Sequence, residues 1–84
     1  MEQIRTQIRN FILDEFLPGE AAGNLPNDIS LRESAILDSL GLLKMITFIE
    51  SSFNIEIGPL DAGDNNFGTI DRITTFVDNQ LNAH

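Results

Sequence analysis

The 84-residue sequence contains no cysteine, tryptophan or tyrosine, and its single histidine, His84, is the last residue. Without cysteine the chain cannot form a disulfide, a thiolate nucleophile or a cysteine-ligated metal site. Chain ends are mostly solvated and poorly ordered, so we do not expect His84 to act in catalysis or to bind a metal. These absences leave few groups from which a self-contained active site could be built. We therefore expect a protein that is not an enzyme.

Positive charge is also scarce, because 5 Lys and Arg residues face 13 Asp and Glu residues, a net charge of −8. Such a chain repels phosphate backbones and anionic membranes, which argues against nucleic acid as a partner. Basic protein surfaces are better partners, since opposite potentials steer encounter. Residues 1–16 mix apolar and charged side chains, without the continuous apolar run of a signal peptide or a membrane span. We expect no membrane span and a cytoplasmic location.

The length of 84 residues predicts one domain that spans residues 1–84, and we expect it to be a monomer. A hydrophobic content of 42% is enough for one core. Apolar residues recur at helical spacing in three stretches, and no alternating pattern predicts a strand. We predict an all-α fold: a small four-helix bundle with three longer helices, one short helix and a long loop between the first and second helices.

The first helix is predicted over residues 2–17 and should end before Pro18 and Gly19, because proline disfavours helix in the residue that precedes it. Residues 19–35 are rich in turn-forming residues and predict a long ordered loop. A connection of this length needs its own apolar anchors. The expected anchors are Leu25, Ile29, Leu31 and Ile36.

The second helix carries apolar residues on two faces. It should begin at Asp38 or Ser39, either of which can cap its first amides, and end at Asn54, which tolerates the left-handed conformation. One stripe is expected to lie in the core: Leu42, Met45, Ile46, Ile49 and Phe53. A second row consists of Leu40, Leu43 and Thr47. That row is either buried on a second side or docks a partner, and the sequence leaves both possibilities open.

The remaining residues predict one short and one longer helix. Residues 61–68 have room for a single helical turn, which we expect Leu60 and Phe67 to hold inward. The last helix should begin after Thr69 as its cap. Its apolar residues at helical spacing are Ile70, Ile73, Phe76, Val77 and Leu81.

Asp61 and Asp64 are the one hint of a metal site. A calcium-binding EF-hand loop needs alternating oxygen ligands, a central glycine and a final glutamate. Here Gly63 comes too early and no such glutamate follows. A metal-binding helical protein is therefore a minor alternative, and we predict no metal site.

Ser39 places a hydroxyl at the predicted start of the second helix. Helix N-termini favour anions through their free N–H groups and the positive end of the macrodipole, so Ser39 is physically suited to carry a phosphodiester. A serine that simply caps the helix is also common at this position. The position alone does not decide between the two.

The segment DSLGLLKMITFIESSFNIEI, with the later NNFGTIDRITTFV, resembles the acyl carrier protein family over essentially the whole chain. The resemblance implies that Ser39 carries 4′-phosphopantetheine, which a phosphopantetheinyl transferase supplies from coenzyme A and whose thiol holds acyl groups as thioesters. It also implies that Asp38 helps to present Ser39 to that transferase. The outer side of the second helix would meet acyl-loading and acyl-processing enzymes. The candidate docking residues are Asp38, Leu40, Leu43, Lys44, Thr47 and Glu50.

The chain departs from family members that serve fatty-acid synthesis. Those members usually have acidic residues at the positions of Gly41, Lys44 and Ser51, whereas Glu50 is the only acid in this helix. The less charged face is more similar to carriers of specialised pathways, such as polyketide, nonribosomal peptide or lipid-modification systems. The alternative function is an acidic helical interaction module without a prosthetic group.

Overall fold

The structure, a computed structural model, describes residues 2–19, 23 and 25–82. This part of the chain contains four α-helices, a 3₁₀ helix before the third of them, and no strand. The α-helices are α1 (Glu2–Phe16), α2 (Ser39–Phe53), α3 (Asp64–Phe67) and α4 (Ile70–Asn82), and the 3₁₀ helix is Pro59–Ala62. This arrangement confirms the all-α prediction, with three longer helices, one short one and a long connection between α1 and α2. His84 lies outside the described residues.

The three longer helices each contribute an apolar stripe to one core, and α1 packs mainly against α4. Residues three or four apart lie on one side of a helix, which is why the spaced apolar residues meet in the interior. The fully buried residues of these helices are Ile8, Ile12, Met45, Ile49, Ile70, Ile73, Thr74 and Val77. The predicted core stripe of α2 is confirmed at Met45 and Ile49. Its other members are only half-buried at the edge of the core: Leu42, Ile46 and Phe53.

Beside the aliphatic core, aromatic rings form a contact between α1 and α2. The rings of Phe11 and Phe48 are stacked, with centroids 4.1 Å apart and planes 15° apart. Phe16 meets Phe11 edge-on at 5.9 Å, and Phe53 meets Phe48 edge-on at 6.5 Å. Phe48 lies outside the predicted stripe, so α2 is covered on a broader side than its helical spacing indicates.

The connection between α1 and α2 is ordered by its own apolar residues, as predicted. Leu25 and Leu31 are buried, Ile29 and Ile36 are half-buried, and Leu37 adds a further buried side chain. Backbone hydrogen bonds tie the loop to the start of α4: Gly68 O accepts the N–H of Leu31 at 2.9 Å, and Asn27 O accepts the N–H of Asp71 at 3.0 Å. These bonds attach the loop to a segment about 40 residues later in the sequence, by the numbering of the paired residues.

Two predicted caps are confirmed. Asn54 ends α2 in the left-handed conformation, with φ 55° and ψ 49°. The hydroxyl of Thr69 accepts the N–H of Arg72 at 3.1 Å at the start of α4.

The prediction for Leu60 is wrong, because its side chain is 98% exposed. Phe67 is buried as expected. Polar contacts, rather than Leu60, hold the turn in front of α3: the Asp61 carboxylate accepts the N–H of Gly58 at 3.2 Å, and the Asn66 amide donates to Asp61 O at 3.0 Å. The 3₁₀ helix that results directs Leu60 away from the core.

Candidate functional site

Ser39 is the first residue of α2, and its neighbour caps the helix. Asp38 has an extended backbone, and its Oδ1 accepts the N–H of Gly41 at 2.7 Å. Asp38 O accepts the first intrahelical hydrogen bond, from Leu42 N, at 2.8 Å. Ser39 is exposed, and no residue that the structure describes forms a hydrogen bond with its hydroxyl. The hydroxyl is therefore not used as a cap and faces solvent.

Gly41 allows the cap to form in a crowded place. It is buried, and a Cβ at this position would lie 3.2 Å from Asp38 Oδ1, 3.2 Å from the ring of Phe16 and 3.4 Å from Leu37 Cδ2. These separations are at the tight end of ordinary packing. The glycine therefore lets the end of α1 and the Asp38 carboxylate approach the first turn of α2, and a side chain here would require these neighbours to shift by a few tenths of an ångström.

A cleft of about 620 Å³ opens beside Ser39. Three segments form it: the end of the α1–α2 loop, the first turn of α2, and the segment from the 3₁₀ helix into α3. Its apolar lining comes from Leu37, Leu42 and Phe67. Ser39 thus lies at the border of a partly apolar cleft.

Arg32 and Asp64 are the charged residues that line the cleft besides Asp38. Arg32 Nη1 lies 3.8 Å from Asp64 Oδ2, and the two side chains are 79% and 60% exposed. An ion pair that is so exposed contributes under about 1 kcal/mol to stability. It links the loop to α3 without closing the cleft.

The second apolar row of α2 is exposed. Leu40 and Leu43 are 63% and 61% exposed, and Lys44 and Thr47 are also exposed. Residues three, four and seven apart lie on one side of a helix, so these four residues form a continuous surface, called here the outer face of α2. The hydroxyl of Thr47 donates to Leu43 O at 3.0 Å and is therefore satisfied within the helix. The additional burial of α2 comes from Phe48 and not from this row.

Glu50 has a structural contact that the sequence does not reveal. Its Oε2 accepts the N–H of Ile57 at 2.9 Å, and the side chain is half-buried. The only acid of α2 thus holds the chain that leaves the helix. Among the predicted docking residues, the Glu50 side chain is therefore held by a hydrogen bond, whereas Lys44 has no ion pair or hydrogen bond with the described residues.

The two acids considered for a metal site have other contacts. Asp61 accepts the N–H of Gly58, and Asp64 faces Arg32. Across residues 2–19, 23 and 25–82, no three His, Cys, Asp or Glu side chains are grouped as metal ligands. Within the same residues, no helix is both long and apolar enough to cross a bilayer.

No protein-family model matches this chain. The basis for a function is therefore the site itself: an exposed hydroxyl that is free of the cap, a cleft beside it, and an exposed apolar helix face that begins at the next residue.

Proposed function

We propose that this chain is an acyl carrier protein whose Ser39 receives 4′-phosphopantetheine from coenzyme A and carries acyl groups as thioesters. The proposal rests on one observation, which is that Asp38 and Ser39 have different roles at the start of α2. Asp38 caps α2, so the Ser39 hydroxyl is exposed and has no hydrogen-bond partner in the described chain. This removes the ordinary reason for a serine at the start of a helix and leaves a hydroxyl that a transferase can reach.

The start of α2 suits a phosphodiester on Ser39. The first amides of a helix have no intrahelical acceptor, and here the cap uses the N–H of Gly41. The N–H groups of Ser39 and Leu40 belong to the same first turn and are not used by this cap. Together with the positive end of the helix dipole, they favour an anion at this place.

The cleft supports the same proposal. An attached arm contains apolar and amide portions, and the cleft beside Ser39 has an apolar lining from Leu37, Leu42 and Phe67. The thiol of the arm would supply the sulfur chemistry that a chain without cysteine lacks. The carrier holds and presents the acyl group, and its partner enzymes perform the chemistry.

The proposed partners are the phosphopantetheinyl transferase and enzymes that load and process the acyl group. The net charge of −8 favours encounter with basic surfaces, and the outer face of α2 begins directly after Ser39. The proposed pathway is a specialised one, such as lipid modification or polyketide synthesis. A side chain at position 41 would crowd Asp38 Oδ1 and the ring of Phe16, and Lys44 stands where the fatty-acid carriers that this chain resembles usually have an acid.

The alternative is an interaction module without a prosthetic group, which would use the same outer face. The two proposals differ in one measurable property. Only the carrier gains the mass of one phosphopantetheinyl group when it is incubated with coenzyme A, magnesium and a phosphopantetheinyl transferase.

Replacing Ser39 by alanine tests the proposal. Because Asp38 provides the cap, we expect Ser39→Ala to change the free energy of unfolding by less than the roughly 0.5–2 kcal/mol that a lost cap costs. Intact-mass analysis should show complete loss of loading, with an unchanged circular dichroism spectrum. Ser52→Ala, at an exposed serine near the end of the same helix, is the matched control and should load as the parent does.

Loading of the Ser39→Ala protein would refute the assignment. So would an arm found on Ser30, Ser34, Ser51 or Ser52 of the parent. Failure of the parent to load with any transferase tested would favour the interaction module.

A further inference from the structure

The cations of this chain are nearly all engaged within it. Arg5 pairs with Glu2 and Asp71, and Arg9 binds the carbonyl of Leu25 and the side chain of Asn27. Arg32 faces Asp64, and Arg72 donates to Asp64 O. Each arginine therefore holds two parts of the fold together.

Lys44 is the exception. It is exposed, and it forms no ion pair or hydrogen bond with any residue between 2 and 82 that the structure describes. It lies on the outer face of α2, four residues after Leu40 and next to Leu43. The one acid of the helix, Glu50, is bound to the N–H of Ile57. The outer face thus presents two leucines and an uncompensated positive charge on a molecule whose net charge is −8.

We propose that the enzyme that docks on this face supplies an apolar socket for Leu40 and Leu43 and a carboxylate opposite Lys44. The inference rests on the proposed function, because it describes the contact through which partners reach the group on Ser39. A partner that lined its socket with basic residues alone would place like charge against Lys44. A carboxylate opposite Lys44 replaces that repulsion with the attraction of one ion pair and thereby favours the docked complex.

The two electrostatic effects act over different distances. The net charge attracts a basic partner from afar, and salt screens this attraction beyond a Debye length of about 10 Å at 0.1 M. Lys44 acts only in the docked complex, where it distinguishes partners that present an acid from those that do not. Overall negative charge and a local positive contact are therefore compatible.

A charge-exchange experiment tests the inference without any modification of Ser39. The probe is a phosphopantetheinyl transferase with a basic carrier-docking surface, used without coenzyme A so that only binding occurs. Each lysine or arginine of that surface is replaced singly by glutamate, and Kd is measured against three forms of the chain: the parent, Lys44→Gln and Gln3→Glu. The two variants carry the same net charge, and Gln3 is an exposed residue of α1 and does not belong to the outer face of α2.

At one or more positions of the transferase we expect the glutamate replacement to shift Kd in favour of the parent over Lys44→Gln by about two- to fivefold, the range for one exposed ion pair. Gln3→Glu should respond to these replacements as the parent does, because its extra negative charge leaves Lys44 in place. Amide NMR shifts of the parent at saturation should lie on residues 40–47.

The inference is overturned if every glutamate replacement weakens binding of all three forms alike, if the shifts lie away from α2, or if no combination binds measurably. The mass assay separates this failure from failure of the proposed function. A parent that loads on Ser39 but shows no preference for the acid remains a carrier with a different docking contact. A parent that never loads but shows the preference has the docking face without the prosthetic group.

Discussion

The state of the Ser39 hydroxyl depends on Asp38, which caps α2 in its place. The sequence predicts that Asp38 or Ser39 caps α2, because both side chains can accept a hydrogen bond from the first turn. It cannot decide between them, since the choice depends on where the backbone enters the helix. Asp38 has the extended backbone of a cap residue and reaches Gly41 N at 2.7 Å. Ser39 is then the first residue of the helix, and its hydroxyl has no hydrogen-bond partner among the described residues, as the proposed function requires.

Leu60 and Glu50 show what local sequence reasoning misses at this scale. An isolated leucine in a short turn is expected to point inward, yet Leu60 is 98% exposed because polar contacts of Asp61 and Asn66 set the turn. Glu50 has the pattern of a solvated acid, yet it accepts the N–H of Ile57. Both outcomes depend on the direction of a chain segment after it leaves a helix.

The packing of Gly41 leads to a prediction. Gly41→Asp would add a carboxylate and a Cβ that lies 3.2 Å from Asp38 Oδ1 and from the ring of Phe16. Overpacking typically costs about 1–3 kcal/mol, and loss of the Asp38 cap falls in a similar range. We expect Gly41→Asp to lower the free energy of unfolding by about 1–3 kcal/mol, measured by urea denaturation.

Gly41→Ala is the control for that experiment. Its methyl group meets the same atoms but adds no charge, and alanine is favoured over glycine in a helix by about 1 kcal/mol. The two effects oppose each other, so its stability should stay within about 1 kcal/mol of the parent. If Gly41→Asp were as stable as the parent, the glycine would not be required by packing, and the missing acid would need a functional reason.

At the scale of the helix, α2 has a buried side, an aromatic side and an exposed side. Helical spacing predicted the buried side at Met45 and Ile49 and grouped Leu40 with Leu43, but it left open whether that row is buried or exposed. It did not predict the stacking of Phe48 on Phe11, because that contact depends on how α1 crosses α2. Periodicity therefore shows which residues share a side, while the neighbouring helices determine how much of each side is covered.

A pair of truncations should separate the buried and exposed sides. Ile49 is fully buried and Leu43 is 61% exposed, and each loses most of its aliphatic side chain in the change to alanine. Ile49→Ala should cost about 2–5 kcal/mol, whereas Leu43→Ala should lie within about 0.5 kcal/mol of the parent. Chemical denaturation of both proteins measures the difference. Should Ile49→Ala not fold, Ile49→Val, with an expected cost of about 0.5–1.5 kcal/mol, gives the same comparison.

Equal losses of stability at the two positions would show that Leu43 supports the fold. Leu43 would then not be available for docking on the outer face of α2. A stable Leu43→Ala protein that binds the transferase more weakly would support its docking role.

For the whole molecule, the contacts that build the site join distant parts of the sequence. The sequence predicted an ordered loop and its apolar anchors, because apolar residues interrupt a run of turn-forming ones. It could not predict that Leu31 N would donate to Gly68 O, since such a bond depends on the tertiary arrangement. The cleft beside Ser39 likewise needs three segments that only the fold brings together.

The excess of negative charge leads to a last prediction, for the stability of the whole chain. The molecule measures 36 × 25 × 20 Å, so at 0.01 M salt, where the Debye length is about 30 Å, its charges repel one another across the whole structure. At 0.1 M the Debye length is about 10 Å, and much of that repulsion is screened. The same salt weakens the ion pairs of Arg5 and Arg32, but exposed pairs are worth little. With 13 acids against 5 bases, repulsion should be the larger effect.

We therefore expect Tm to rise when NaCl is increased from 0.01 to 0.1 M, by several degrees if the gain is about 1 kcal/mol, since that energy corresponds to roughly 4–8 °C in a domain of this size. Glu56→Gln provides a matched test, because Glu56 is exposed and has no ion pair or hydrogen bond with the described residues. It should raise Tm at 0.01 M and have less effect at 0.1 M. A Tm that falls with added salt would mean that the ion pairs outweigh the repulsion. In that case the field of the molecule would be weaker than its net charge indicates, and long-range attraction of basic partners would be weaker as well.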